Sequence, residues 1–293
     1  MFLMSYFTAD DESVHLAVSE DGRRFVPLKA GRPLLSSTVG TGRIRDPFIG
    51  LGPDGRFHLL GTDGWSSTAI VHTASTDLLH WDQPELLPVM ADVPGAQNAW
   101  APEFFTDDAD LVHIIWSSCV NTELDGAGPD WEHNPQDHRI WRCQTRDFTT
   151  FSPSAIFFDP GYSVIDAAVV RTDGLLRMAF KDERGENVAH NPFKRIMLTS
   201  AVDHHGPFDD LVGPIGDAAA EGPTLYRVDD RWVLLYDHFL EGTYGASVSG
   251  DWQTWHPLEV SVPPGTRHAS VIQLDTVPSW ILEDPALADI RSP

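Results

Sequence analysis

The chain predicts an all-β fold, a propeller of five four-stranded blades whose last blade is closed by strands from both ends of the polypeptide. Three observations predict it. Short apolar segments with period-two alternation recur, separated by Gly, Pro and Asp turns. The unit they build returns about every 45 to 65 residues. The final unit lacks three strands, and the N-terminus supplies three that belong to no other unit.

Four hairpins are legible: DPFIGLGPDGRFHLLGTDG from Asp46, APEFFTDDADLVHIIWSS from Ala101, DAAVVRTDGLLRMAFKDE from Asp166 and GPTLYRVDDRWVLLYDHF from Gly222. Turn clusters such as Gly52-Pro53-Asp54-Gly55 and Thr172-Asp173-Gly174 sit between runs of β-branched, aliphatic and aromatic residues. Each hairpin is followed by a third strand ending in Ser or Thr, an Asp-containing turn, and an aromatic (Trp81, Phe151, Phe208, Trp255) expected to pack against the next unit. In the fifth unit His268 opens the strand ASVIQL. The segments MFLMSYFTADD, VHLAVSEDG and RFVPL then complete it, which removes the open sheet edges. A sandwich with coincidental repeats would not complete a unit across the termini.

At 293 residues the length prior leans towards two domains, but the shared repeat and the lack of a linker point to one catalytic propeller over 1–293. No apolar run reaches the length of a membrane span. The opening residues lack a basic start and a cleavage site, so a cytoplasmic protein is expected. Two cysteines, Cys119 and Cys143, are too few for a secreted framework and read as ordinary partly buried thiols, with a disulfide between them as the alternative. A formal charge of −23 disfavours nucleic acid and anionic membranes and leaves neutral partners such as oligosaccharides. Oligomeric state has no signature here.

Asp46 in RDPFIGL, Asp166 in IDAAVV and Glu221 in EGPTLYRV stand at segment entrances, and Glu103 in WAPEFF and His268 in RHASVIQL occupy the two remaining ones. A propeller brings such entrances together at its axis. Glycoside cleavage requires one carboxyl group to protonate the departing oxygen and another to activate water or attack the sugar. A third carboxylate raises the proton affinity of the acid. Singly, Asp46 before Pro47 and Glu221 before Gly222-Pro223 also fit ordinary turns. Asp166, between apolar neighbours, fits one less well, because an unpartnered buried charge is costly.

On these motifs, RDPFI, WAPE, IDAAVV, EGPTL and RHASVI in that order, the chain resembles glycoside hydrolase family 43 over nearly its whole length. The resemblance implies an inverting mechanism with Asp46 as general base, Glu221 as general acid, and Asp166 tuning and orienting that acid. Inversion needs the base and acid roughly 6.5 to 9.5 Å apart to admit water. Families 32 and 68 carry RDP at the middle acid, after an Asn-Asp-Pro. Here Arg45-Asp46-Pro47 comes first and Gly222 follows Glu221, so fructan cleavage is disfavoured. In the family the equivalent of His268 faces the axis and holds water or calcium. Since calcium prefers six to eight oxygens, a structural or water-bridging imidazole is the first reading and water-mediated calcium the second. No cofactor is otherwise required.

Sugar rings need aromatic faces and bidentate polar groups, so Arg45, Asp63, Trp65, Trp100, Glu103, Trp116, Phe180 and Arg267 are candidate substrate contacts. For each, blade packing or a salt bridge is the competing reading. His204-His205, His133 and His138 lie in polar stretches without zinc spacing and are expected to be exposed. The segment Asn121 to Arg139 breaks the repeat and reads as a loop walling the pocket. The leading expectation is an exo-glycosidase releasing a terminal pentose, α-L-arabinofuranose first, from oligosaccharides. β-D-Xylosidase and β-D-galactofuranosidase activities are the alternatives, and a silent carbohydrate-binding propeller is the alternative outside enzymes. A protein-interaction propeller is not supported, because the WD and kelch signatures are absent.

Overall fold

The computed structural model describes residues 1–120, 137–184 and 194–291, and in them twenty strands form five four-stranded antiparallel sheets. In chain order β1 (Phe2–Phe7), β2 (His15–Ser19) and β3 (Val26–Pro27) come first. Blade 1 is β4 (Arg45–Leu51), β5 (Phe57–Thr62), β6 (Ile70–Ser75) and β7 (Glu85–Leu87). Blade 2 is β8 (Trp100–Thr106), β9 (Val112–Cys119), β10 (His138–Thr145) and β11 (Ala155–Phe158). Blade 3 is β12 (Val164–Thr172), β13 (Leu175–Asp182), β14 (Arg195–Ala201) and β15 (Asp209–Ile215). Blade 4 is β16 (Ala220–Val228), β17 (Arg231–His238), β18 (Thr243–Ser249) and β19 (His256–Pro257). β20 (Arg267–Gln273) pairs with β1, and the order β20-β1-β2-β3 is the expected blade closed by both termini.

The first strand of every blade is broken near its entrance by a residue in the left-handed region: Asp46 (φ 48°), Ala101 (46°), Asp166 (57°), Gly222 (54°) and His268 (36°). The pairing register slips at the same places, between Arg45 and Phe48, Trp100 and Glu103, Ile165 and Ala168, and Glu221 and Thr224, with a matching slip against β1. These are β-bulges, which re-aim a side chain and commonly sit beside active sites. Four of the five are not glycine, at a cost of about 1–2 kcal/mol each. Hydrogen bonds offset that cost, because the bulge N–H of one blade reaches back to the second strand of the blade before. Ala101 N donates to Thr62 Oγ1 at 2.8 Å and Asp166 N to Ser117 Oγ at 2.9 Å.

The bulges correct the reading of the repeat. Equivalent positions are Asp46, Ala101, Asp166, Gly222 and His268, so Glu103 lies two residues beyond its blade's bulge and Glu221 one residue before. A side chain one residue off the repeat leaves the strand in a different direction.

Apolar side chains fill the seams between blades. Leu3, Leu16 and Val18 of the terminal blade meet Ile49, Leu59 and Val71 of blade 1, and corresponding clusters fill the later seams. The aromatics after the third strands sit in these clusters on the side opposite to expectation. Trp81 joins the seam with the terminal blade, Phe151 that of blades 1 and 2, Phe208 that of blades 2 and 3, and Trp255 that of blades 3 and 4. Each therefore packs back against the preceding blade, because the turn holding it folds onto that face.

After β20 the chain adds two short helices, α1 (Ser279–Leu282) and α2 (Ala286–Arg291). Ile281 and Leu287 are buried in the closing seam, and Trp280 Nε1 donates to Asp77 O at 2.8 Å. Cys119 and Cys143 are free thiols, as expected, and are fully rather than partly buried. Among the described residues no helix is long and apolar enough to cross a membrane.

Candidate active site

Three of the bulges and the residue before a fourth converge on one cluster, in which Asp166 is buried and Asp46, Glu221 and His268 are partly buried. Asp46 accepts a hydrogen bond from Thr62 Oγ1 at 2.6 Å through Oδ2, while its Oδ1 lies 3.4 Å from His268 Nδ1. Asp166 Oδ2 accepts the Gly222 N–H at 3.1 Å, which ties it to the residue following Glu221. Gly222 packs against the His268 ring so closely that a Cβ would stand 2.8 Å from its Cγ. Glycine is thus required there by space as well as by its positive φ. The three expected carboxylates meet around the imidazole.

Charge in this cluster is closely balanced. Burial, with the Glu221 and Asp46 carboxylates, pushes Asp166 up to about 6 against the pull of His268 and Lys181. Burial alone would push His268 down, but Asp46, Asp166, Glu221 and Asp237 hold its imidazole above the ordinary value. Two cations flank Glu221, with Lys181 Nζ 3.0 Å from Oε2 and Arg267 Nη2 3.5 Å from Oε1. Arg267 is anchored by its Nε on Asp237 Oδ2 at 2.7 Å, and burial pushes that fully buried aspartate upward. Thr62, Lys181 and Asp237 were not singled out from sequence. The signal was there: all stand at the end of the second strand of their hairpins, beside the next blade's entrance.

Around His268, Asp46 Oδ2 is engaged by Thr62, Asp166 Oδ2 by Gly222 and Asp237 Oδ2 by Arg267.

The other expected substrate contacts divide. Arg45 stands beside Asp46 with its guanidinium 4.4 Å from the Trp65 ring and 4.7 Å from Phe7, held by Glu12 at 2.6 Å. Trp65 is 47 % exposed and meets Trp100 edge-on at 5.6 Å, forming an aromatic rim beside Arg45. Glu103 is pushed well upward by burial and by Asp166, and accepts the Val169 N–H, so it lines the cluster rather than facing out. Trp116 and Phe180 contradict expectation: both are buried in seams, Trp116 with Leu60 and Cys143, Phe180 edge-on to Phe158 at 5.0 Å. Their period-two position points into the blade interface. Asp63 is also buried, with Oδ1 accepting Thr41 N at 2.7 Å and Thr41 Oγ1 at 3.0 Å, so it fastens a loop.

The histidine expectations are corrected as well. His138 is buried, because it begins β10 and bonds the Asn98 side chain at 2.9 Å. His204 is half-buried near Asp107 and His113, a group with ligand atoms within 4.8 Å of one another. It fits a metal poorly. His113 Nε2 bonds Asp107 at 3.1 Å, and among the described residues its buried Nδ1 lacks the acceptor that a metal-bound imidazole needs for its second N–H. His205 is exposed, as expected. His133 and 121–136 of the expected wall loop lie outside the described residues.

Comparison with known proteins agrees with the five-bladed fold. Over 175 residues the chain is 27% identical to an alpha-L-arabinofuranosidase of Bifidobacterium longum subsp. longum, matching 53% of this chain but only 16% of that protein. Among solved structures, a thermostable family-43 glycoside hydrolase superposes with a TM-score of 0.61 at 17% identity, covering 80% of this chain and 82% of that one. An alpha-L-arabinofuranosidase from Lactobacillus brevis superposes with a TM-score of 0.57, also at 17% identity, over 83% and 77% of the two chains. The family model described as "Probable glycosyl hydrolase domain", of the glycosyl hydrolase 43-related group, matches residues 1–277, and the chain belongs to that family of glycoside hydrolases.

Proposed function

We propose that the protein is an inverting exo-glycosidase that releases a terminal pentose, α-L-arabinofuranose first, from short oligosaccharides. The observation that carries it is the convergence of Asp46 and Asp166 on His268, with Glu221 joined to the group through Gly222. Asp46, oriented by Thr62, takes a proton from water as the water oxygen bonds the anomeric carbon. The bond from that carbon to the leaving oxygen breaks, and Glu221 supplies the proton the leaving oxygen acquires. Asp166 holds the backbone beside Glu221, and Arg45, Trp65 and Trp100 receive the sugar at the rim.

The pentose assignment is supported by the name of the Bifidobacterium relative and by the motif resemblance, and a neutral sugar suits a chain of charge −23. Incubation with nitrophenyl α-L-arabinofuranoside, β-D-xyloside and β-D-galactofuranoside tests it. Preferential turnover of the first is expected. Sugar binding without turnover of any glycoside would instead mark a lectin.

A further inference from the structure

In the first four blades the second strand places one residue opposite the position just before the bulge. Thr62 faces Arg45, Ser117 faces Trp100, Lys181 faces Ile165 and Asp237 faces Glu221. Three of these accept the bulge N–H of the following blade: Thr62 from Ala101, Ser117 from Asp166, and Asp237 from His268, the last at 3.3 Å. Lys181 cannot, since an ammonium has donors only. The N–H it would have received, that of Gly222, goes to Asp166 instead. Its Nζ crosses to the residue before that bulge, Glu221, at 3.0 Å.

A lysine only 3% exposed needs compensation. Glu183 Oε1 supplies it at 2.5 Å, the Phe239 ring lies 4.5 Å beneath Nζ, and Glu183 Oε2 is bridged at 2.5 Å to Lys194. Glu221, Lys181, Glu183 and Lys194 thus form a line of alternating charge running away from the reacting centre. Against burial, the two lysines hold Glu183 down at about 2, so the charges in the line are firmly set. Among the described residues, the other charged or titratable groups facing Glu221 are Arg267 and His268 on β20, Asp166 on β12, Asp237 on β17 and Tyr244 on β18. Those facing Lys181 are Glu183, Glu221 and Asp166.

We propose that Lys181 is a positioning residue that governs when Glu221 holds the proton used in catalysis, and that Glu183 tempers it by drawing the ammonium away. This rests on Glu221 being the general acid. A cation close to a carboxyl group favours its ionised form. Removing Lys181 therefore lets the acid keep its proton to higher pH. Removing the charge of Glu183 leaves Lys181 to Glu221 alone and has the opposite effect, although Glu183 lies outside the reacting centre.

The test is the pH profile of kcat/KM on an aryl glycoside for the wild type, K181M, K181R and E183Q, each checked by thermal melting. The alkaline limb, where the acid loses its proton, should move up by about one pH unit in K181M. It should move down in E183Q and stay with the wild type in K181R. A role confined to structure lowers activity at every pH and leaves the limbs in place. Limbs that coincide, or that move the same way in K181M and E183Q, overturn the proposal. Should K181M not fold, the direction of the E183Q shift decides by itself. E221A separates the two claims: full activity in E221A refutes the acid assignment, whereas its loss together with an unmoved limb in E183Q refutes only the role of Lys181.

Discussion

Thr62 Oγ1 donates to Asp46 Oδ2 at 2.6 Å while accepting the Ala101 N–H at 2.8 Å, so one hydroxyl fixes the proposed base and clasps blade 1 to blade 2. A hydrogen bond to a charged group contributes about 1.5–3 kcal/mol. Thr62→Val should therefore lower kcat about tenfold to a hundredfold with little change in KM, and Thr62→Ser should restore most of it. Steady-state kinetics of the two variants checks this. A KM-only effect would mean that Thr62 does not act through the base.

Asp166 should set a trade between stability and activity. Burial raises it from 3.8 to about 6, so between these values the native protein holds a proton that the unfolded chain has released. Stability from this group is present at acid pH and is lost as pH rises from about 4 to about 6. Asp166→Asn has no charge to bury and keeps an acceptor for the Gly222 N–H. Its melting temperature should overtake that of the wild type as pH rises through this window, while kcat falls on the order of a hundredfold. Melting curves at pH 4 and pH 7 check the sign.

Removal of the acid should depend on the leaving group. Glu221→Ala should lose about 10²- to 10⁴-fold on substrates with poor leaving groups. Dinitrophenyl glycosides, which need no protonation, should be hydrolysed at nearly the wild-type rate. Comparing the variant on the two substrate types checks the assignment.

Exposure separates the rim from the core. Trp65→Ala should raise KM about threefold to tenfold and leave the melting temperature in place, because the ring is 47% exposed beside Arg45. Trp116→Ala and Phe180→Ala should instead cost about 3–5 kcal/mol of stability, measured by denaturant titration.

The blades were legible because a hairpin writes itself locally, as alternating apolar residues around a Gly or Asp turn. The terminal closure followed from counting strands. Asp46, Asp166 and His268 were legible because each occupies the bulge of its blade. Glu221 was found although it stands one residue off the repeat. Trp116, Phe180 and Asp63 were misread because they lie in or just after second strands, where position along the strand decides the side chain's direction: Trp116 and Phe180 turn into seams and Asp63 turns to the Thr41 loop. Lys181 escaped notice because its neighbours Glu183, Lys194 and Glu221 come from three separate segments brought together by blade packing.

Inversion by a paired base and acid is the central claim, and proton NMR of the product in the first minutes of hydrolysis tests it most directly. From an aryl α-L-arabinofuranoside, the β-anomer of arabinose should appear first and then equilibrate. The α-anomer appearing first would show a covalent, retaining route and contradict the roles given to Asp46 and Glu221.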